Sequence, residues 1–117
     1  MDHYEREVAK CGGFDVGIDH GCVTLRGAFN YGGSGQGFGY FIDTDFLKRF
    51  MAVFRVENLR DVNGRYCWVT HSHSNIRAVE PMLPEDGTAF DVLAWAEELK
   101  RRAAGAPEVG EEGDGRG

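Results

Sequence analysis

The chain has 117 residues and a mass of 13.0 kDa, which is typical of a single domain. Its net charge of −6, from 19 acidic and 13 basic side chains, argues against direct binding of nucleic acid. No apolar run approaches the roughly 20 residues that cross a bilayer, and the charged start of the chain lacks the apolar segment of a signal peptide. We therefore expect a cytoplasmic protein without a membrane partner.

The first half of the chain predicts strands. Residues 2–10 are polar and have no regular pattern, whereas Phe14, Val16 and Ile18 alternate with polar residues or glycine, as in a half-buried strand. A second alternating run covers residues 23–31, and Gly27 inside it indicates a bulge or a close backbone approach. The expected buried face of the first strand therefore includes Val16 and Ile18.

A glycine-rich hairpin loop and a helix are predicted next. The loop at residues 32–35 leads into a third strand at residues 38–42. Residues 43–45 supply helix N-cap candidates, and apolar side chains then recur at helical spacing over residues 46–54.

Two strands and a second helix complete the predicted fold. Residues 66–69 form an apolar run typical of a central strand, with Trp68 expected in the core, and residues 76–79 predict a fifth strand. A capping-box-like start at Thr88 precedes an apolar helical stripe that includes Trp95. We expect an α+β fold, an antiparallel sheet of about five strands with two helices packed on one face.

Residues 1–104 are predicted to form the single compact domain. The segment 105–117 reads GAPEVGEEGDGRG, with four acids and one base. Such a composition does not bury enough apolar area to offset the entropy of ordering, so we predict a disordered acidic tail.

The three cysteines, Cys11, Cys22 and Cys67, include no CxxC pair. Reduced thiols are expected in the cytoplasm, and a Cys11–Cys22 disulfide is the alternative. Cys67 lies in an apolar run, so we expect an inert, buried thiol there rather than a nucleophile.

No catalytic motif is present. No serine has the GxSxG context, and the glycines of the loop match neither the dinucleotide nor the P-loop spacing. We predict that the protein is not an enzyme, has no catalytic residues and needs no cofactor.

His71-Ser72-His73 is the main alternative to that prediction. Residues two apart in a strand share a face, so both imidazoles are able to reach one metal ion, and Cys67 has the same parity. A zinc site needs three or four ligands, and no second close pair is present. We predict no metal, with a metal-binding domain or metal-dependent enzyme as the alternative.

Charge is segmented along the chain. Residues 46–79 carry six bases and two acids, whereas residues 80–99 carry six acids and no base. Segmented charge steers the approach of a complementary protein. We predict partner-binding residues of three kinds, namely aromatic anchors (Tyr31, Tyr40), acidic groups (Asp43, Asp45, Glu80, Glu85, Asp86) and basic groups (Arg60, Arg65).

The block from Gly37 to Arg77, GFGYFIDTDFLKRF … GRYCWVTHSHSNIR, resembles small accessory proteins of phages and other mobile elements, such as anti-CRISPR and other anti-defence inhibitors. The resemblance implies a non-enzymatic protein that blocks a host nucleic-acid-processing complex by protein–protein contact. It assigns no site residues, and the oligomeric state stays open.

Overall fold

The structure, a computed structural model, describes residues 3–105, with side chains described for residues 3–103. The predicted tail lies outside these residues except for Gly105, which ends the last helix. The strands are β1 (Glu5–Asp19), β2 (Cys22–Asn30), β3 (Gly35–Phe41), β4 (Tyr66–His71), β5 (Ile76–Pro81) and β6 (Phe90–Asp91); the helices are α1 (Thr44–Phe54) and α2 (Val92–Gly105). None of the helices in the described residues is long and apolar enough to cross a membrane.

The strands form one antiparallel sheet in the order β3-β2-β1-β4-β5-β6, and α1 and α2 cover one of its faces. The predicted α+β class is confirmed. The sheet has six strands rather than about five because the two-residue β6 pairs with β5 just before α2 begins. The helix-covered side is called the inner face below, and the opposite side the outer face.

β1 is the longest strand, and it begins at Glu5, inside the stretch that had no predicted structure. Its register with β2 shifts between Gly12 and Asp15. At this bulge the amide side chain of Asn63 replaces a neighbouring strand, because it accepts from the Phe14 N–H (2.7 Å) and donates to the Phe14 carbonyl (3.2 Å). Asn63 thereby satisfies backbone groups that the bulge leaves without a ladder partner.

Phenylalanine rings fill the space between the sheet and the helices. Phe14 lies at the centre, with ring centroids 5.3 Å from Phe29 and 5.1 Å from Phe50. A Cβ at Gly27 would stand only 2.3 Å from the Phe14 ring. Gly27 therefore confirms the predicted close approach, since the Phe14 ring packs directly on its backbone.

Both helices begin at an aspartate cap. The Asp43 carboxylate accepts from the Phe46 N–H (2.8 Å), as expected for α1. The cap of α2 is Asp91, which accepts from the Ala94 N–H, so the predicted start at Thr88 is wrong. The chain is still extended before Asp91, because Phe90 in β6 pairs with Val79 in β5.

Two predictions about buried side chains are also wrong. Val16 and Ile18 are 42% and 68% exposed, because the β1–β2 hairpin extends beyond the region that the core covers. Trp68 points to the outer face, where the Arg6 guanidinium lies 4.1 Å from its ring centroid. The outer face of β1 and β4 thus carries stacked cation–aromatic pairs instead of a second core layer.

The cysteines are all free. Cys11 and Cys67 are buried with their sulfurs 3.9 Å apart, whereas Cys22 is exposed. The alternative Cys11–Cys22 disulfide is therefore wrong, since the neighbour of Cys11 is Cys67. The hydrogen bond between Cys67 and Cys11 and the burial of the site both raise the pKa of the Cys67 thiol, which accords with the predicted inert core cysteine.

Candidate functional site

The edge strand β3 presents unpaired backbone groups to solvent. The Tyr31 N–H donates to Ser34 O, and the Ile42 N–H donates to Val23 O, so the hydrogen-bonded pairs between β2 and β3 fall on the even-numbered residues of β3. The odd-numbered residues direct their N–H and C=O groups away from β2. These residues are Gly35, Gly37, Gly39 and Phe41, and all of them are exposed.

From Gly35 to Gly39 this edge also carries no side chain on the outer face. Nothing lies within 4 Å of a Cβ placed on Gly37 or Gly39, so packing does not require glycine at either position. Proteins commonly protect an exposed edge with charged side chains, proline or a bulge. None of these devices occurs within β3.

A cavity of 310 Å³ follows the same edge. One wall is formed by β3, whose Gln36, Phe38 and Tyr40 point to the inner face. The other is formed by the end of the β4–β5 turn and by Ile76 at the start of β5. The Gln36 amide donates to the Ser72 carbonyl (3.2 Å), which holds the turn against the strand. An extended peptide paired with β3 would therefore direct alternate side chains into this cavity.

A larger cavity of 510 Å³ separates α1 from α2. Its charged side chains are already paired, since Arg49 donates to Asp45 (3.0 Å) and Arg102 lies 3.5 Å from Glu98. The outward backbone groups of β3 have no strand partner among residues 3–105, so β3 is the stronger candidate site.

The two predicted tyrosine anchors are half-buried. The Tyr31 ring stacks on His71 with centroids 4.3 Å apart, and its hydroxyl donates to Gln36 Oε1. Tyr40 packs against Phe38 and Phe46 at the margin of the core. Burial raises the pKa of both phenols, with a smaller contribution from the Glu7 charge at Tyr31. Tyr40 lines the β3 cavity, and Tyr31 contacts Gln36, another residue of its wall.

Three of the predicted acidic groups have structural partners. Asp43 caps α1. Asp45 accepts from Arg49 and from the Trp95 indole (3.2 Å), and Glu80 pairs with Arg6 across the outer face (2.9 Å). These carboxylates hold the fold together, which leaves less of their charge for a partner.

The remaining predicted residues lie on the surface. Glu85 and Asp86 are exposed in a short 3₁₀ turn, and neither side chain forms an ion pair with a described residue. Arg60 is exposed as well, whereas the Arg65 guanidinium donates to the Phe54 carbonyl at the end of α1 (3.1 Å). The structure does not gather the nine predicted partner-binding residues into one patch.

His71 meets two glutamates rather than His73. Its Nε2 lies 2.7 Å from Glu7 Oε1, and the ligand atoms of Glu5, Glu7 and His71 all lie within 4.8 Å of one another. His73 is exposed in the turn after β4 and does not belong to this group. The His-x-His pair on which the alternative metal site depended is thus not formed, and His71 belongs instead to a glutamate–histidine group across β1 and β4.

Sequence reasoning did not identify the edge of β3 as a site. The signal for this site is the alternation of Gly35, Gly37 and Gly39 with larger residues. From the sequence alone we assign these glycines to a flexible loop and to the less informative face of a strand, so the signal was missed. Comparison of the chain with protein-family models, with curated proteins and with solved structures gives no match in any of the three.

Proposed function

We propose that this chain is a non-enzymatic binding protein that recognises a partner protein by adding an extended segment of it to β3. The observation that carries the proposal is the bare edge at Gly35, Gly37 and Gly39, with outward N–H and C=O groups beside a cavity. Strand addition of this kind takes its affinity from main-chain hydrogen bonds and its specificity from pockets for alternate side chains.

The chemistry of the cavity defines the peptide class. Phe38, Tyr40 and Ile76 offer apolar contact, while Gln36 and Ser74 supply polar groups. A strand that enters with medium-sized apolar side chains at alternate positions fits these walls. On the outer face the partner strand meets glycines, so bulky side chains are accommodated there as well.

A role as an inhibitor of a nucleic-acid-processing complex, of the anti-CRISPR type, extends this proposal. The exposed carboxylates of Glu85 and Asp86, which form no ion pair within the described part of the chain, support it, because a basic groove on the partner attracts such charge. The edge strand would then supply the main contact, and the acidic turn would steer the approach.

The test uses amide exchange on the full chain before and after binding. A partner is captured from a host lysate, identified, purified and mixed with the labelled chain. We expect the amides of Gly37, Gly39 and Phe41 to exchange rapidly in the free chain and slowly in the complex. Amides that stay rapid in a stable complex would refute strand addition while leaving a binding role intact.

A matched pair of variants tests the same contact. Gly37→Pro removes an N–H that points away from β2, so pairing with β2 keeps its hydrogen bonds. We expect the affinity for the captured partner to fall about tenfold, the loss of roughly one hydrogen bond. Gly33→Ala in the hairpin loop, where a Cβ meets nothing within 4 Å, is the control and should bind as the parent does.

A further inference from the structure

The inner face of β1 and β4 carries a group of possible metal ligands that the proposed function does not use. Glu5 and Glu7 lie two residues apart on β1 and share a face, and Glu5 stands directly opposite His71 on β4. We call these three residues the acid–histidine cluster. One nitrogen and two carboxylate oxygens therefore converge from two neighbouring strands.

The imidazole of the cluster is held in place before any ligand arrives. Its ring stacks on Tyr31 with an interplanar angle of 11°, and the His71 side chain is only 15% exposed. The Tyr31 hydroxyl donates to Gln36, and the Gln36 amide donates to the Ser72 carbonyl beside His71. Groups from β3 and from the residues that directly follow β2 and β4 thus fix the ring, which lowers the entropy that binding would cost.

The charge of the cluster is incompletely balanced. Among the described residues no lysine or arginine forms an ion pair with Glu5 or Glu7, since Arg6 between them points to the outer face and pairs with Glu80. Two carboxylates held so close repel one another unless a cation joins them.

We propose that Glu5, Glu7 and His71 bind one divalent transition-metal ion, with Zn²⁺ preferred and a fourth position open to water. Imidazole nitrogen with carboxylate oxygen suits zinc, whereas calcium and magnesium prefer oxygen ligands alone. Tetrahedral zinc with bonds of about 2.0–2.2 Å places its ligand atoms roughly 3.4 Å apart. Side-chain rotation of the two glutamates covers the difference from the present spacing.

The proposal is tested with ZnCl₂ on the metal-free full chain without a histidine tag. Titration calorimetry should give one bound equivalent, and the midpoint of thermal unfolding should rise with zinc concentration. Co²⁺ in place of zinc should give the intense visible absorption of a tetrahedral site. Failure to bind one equivalent would overturn the proposal.

The variants assign the ligands. Glu5→Gln and His71→Gln should each weaken zinc binding by at least about 10-fold, because loss of even an outer-shell partner costs about 10–100-fold. Glu5 is exposed, so its variant should fold normally. His73→Gln should bind as the parent does.

Zinc could instead bind at the tip of the β1–β2 hairpin, where Asp19, His20 and Cys22 lie close together. The double variant His20→Gln/Cys22→Ser should retain the bound zinc. Loss of binding in this variant, with retention in His71→Gln, would place the metal at the tip and overturn the proposal. Gly37→Pro should leave zinc binding unchanged, so the metal site and strand addition fail or succeed independently.

Discussion

The indole of Trp95 on α2 donates a hydrogen bond to the carboxylate of Asp45 at the start of α1, with Nε1 and Oδ2 3.2 Å apart. The same oxygen accepts from Arg49 one turn later. The Trp95 ring meets Phe46 edge to face at 4.8 Å, so this residue joins the two helices through both packing and a polar contact.

Trp95→Ala should therefore destabilise the fold by roughly 3–5 kcal/mol, the range for deletion of a large buried aromatic side chain. Trp95→Phe keeps a ring against Phe46 but loses the hydrogen bond, and should cost about 1 kcal/mol, since Asp45 is half-exposed. Chemical denaturation measures both. Glu98→Ala is the surface control and should cost only about 0.2–0.5 kcal/mol; equal losses in all three variants would contradict the packing described.

Gly27→Ala should also be destabilising, by roughly 1–3 kcal/mol, because the added methyl group overlaps the buried ring of Phe14. The matched control is Gly37→Ala, where a Cβ enters open space. That variant should be neutral, or more stable by up to about 1 kcal/mol through a less flexible unfolded chain. Urea unfolding of the two variants measures both free energies of unfolding. An unchanged stability for Gly27→Ala would mean that Phe14 does not pack on the backbone of residue 27.

Thiol reactivity should separate the cysteines into two classes. Cys22 is exposed and should react with a disulfide reagent within the mixing time of an ordinary assay. Cys11 and Cys67 are buried, and the raised pKa of the Cys67 thiol keeps it protonated, so these two should react only when the chain unfolds. Rapid labelling of more than one thiol per native chain would contradict the buried sulfur pair.

Alkaline pH should weaken the fold. Burial raises the pKa of Tyr40 above its ordinary value of 10.0, so the unfolded chain releases this proton at a lower pH than the folded chain does. The stabilisation is present below pH 10.0 and is lost as the pH rises toward the folded-state pKa. Urea unfolding at stepped pH should show this decline, and Tyr40→Phe should reduce its slope.

Charge reversal should report which surface faces the partner. If the partner is basic, Glu85→Lys/Asp86→Lys should slow association at low salt, while dissociation changes little. Arg60→Glu is the cleaner reversal on the basic side, because Arg65 also bonds the end of α1. Association rates that respond to neither variant nor to salt would argue against electrostatic steering.

The sequence predicted most of the fold because apolar periodicity marks β2, β4, β5 and α1 directly. The first half of β1 was not predicted as a strand, because the residues that point to the inner face there are Glu5, Glu7 and Ala9, which do not form an apolar alternation. The strand forms because β2 and β4 pair with its backbone, a long-range effect that no local pattern contains.

The candidate site was harder to predict for a related reason. The acid–histidine cluster joins residues 64 positions apart, and its register depends on the pairing of β1 with β4. The acidic partner-binding residues were predicted from charge and position in the chain. In the structure, however, Asp45 accepts a hydrogen bond from Trp95 and Glu80 forms an ion pair with Arg6. Pairing within the fold, which composition does not reveal, decides which charges remain available.

Of the two terminal strands of the described sheet, β3 offers the longer free edge, and this shapes how the protein can self-associate. At the other edge, β6 has two residues and continues directly into α2. At high concentration β3 of one molecule can pair antiparallel with β3 of another, which forms a two-fold dimer and covers the β3 edge of both molecules. This contact is closed by its own symmetry, so self-association through β3 should give dimers rather than fibres.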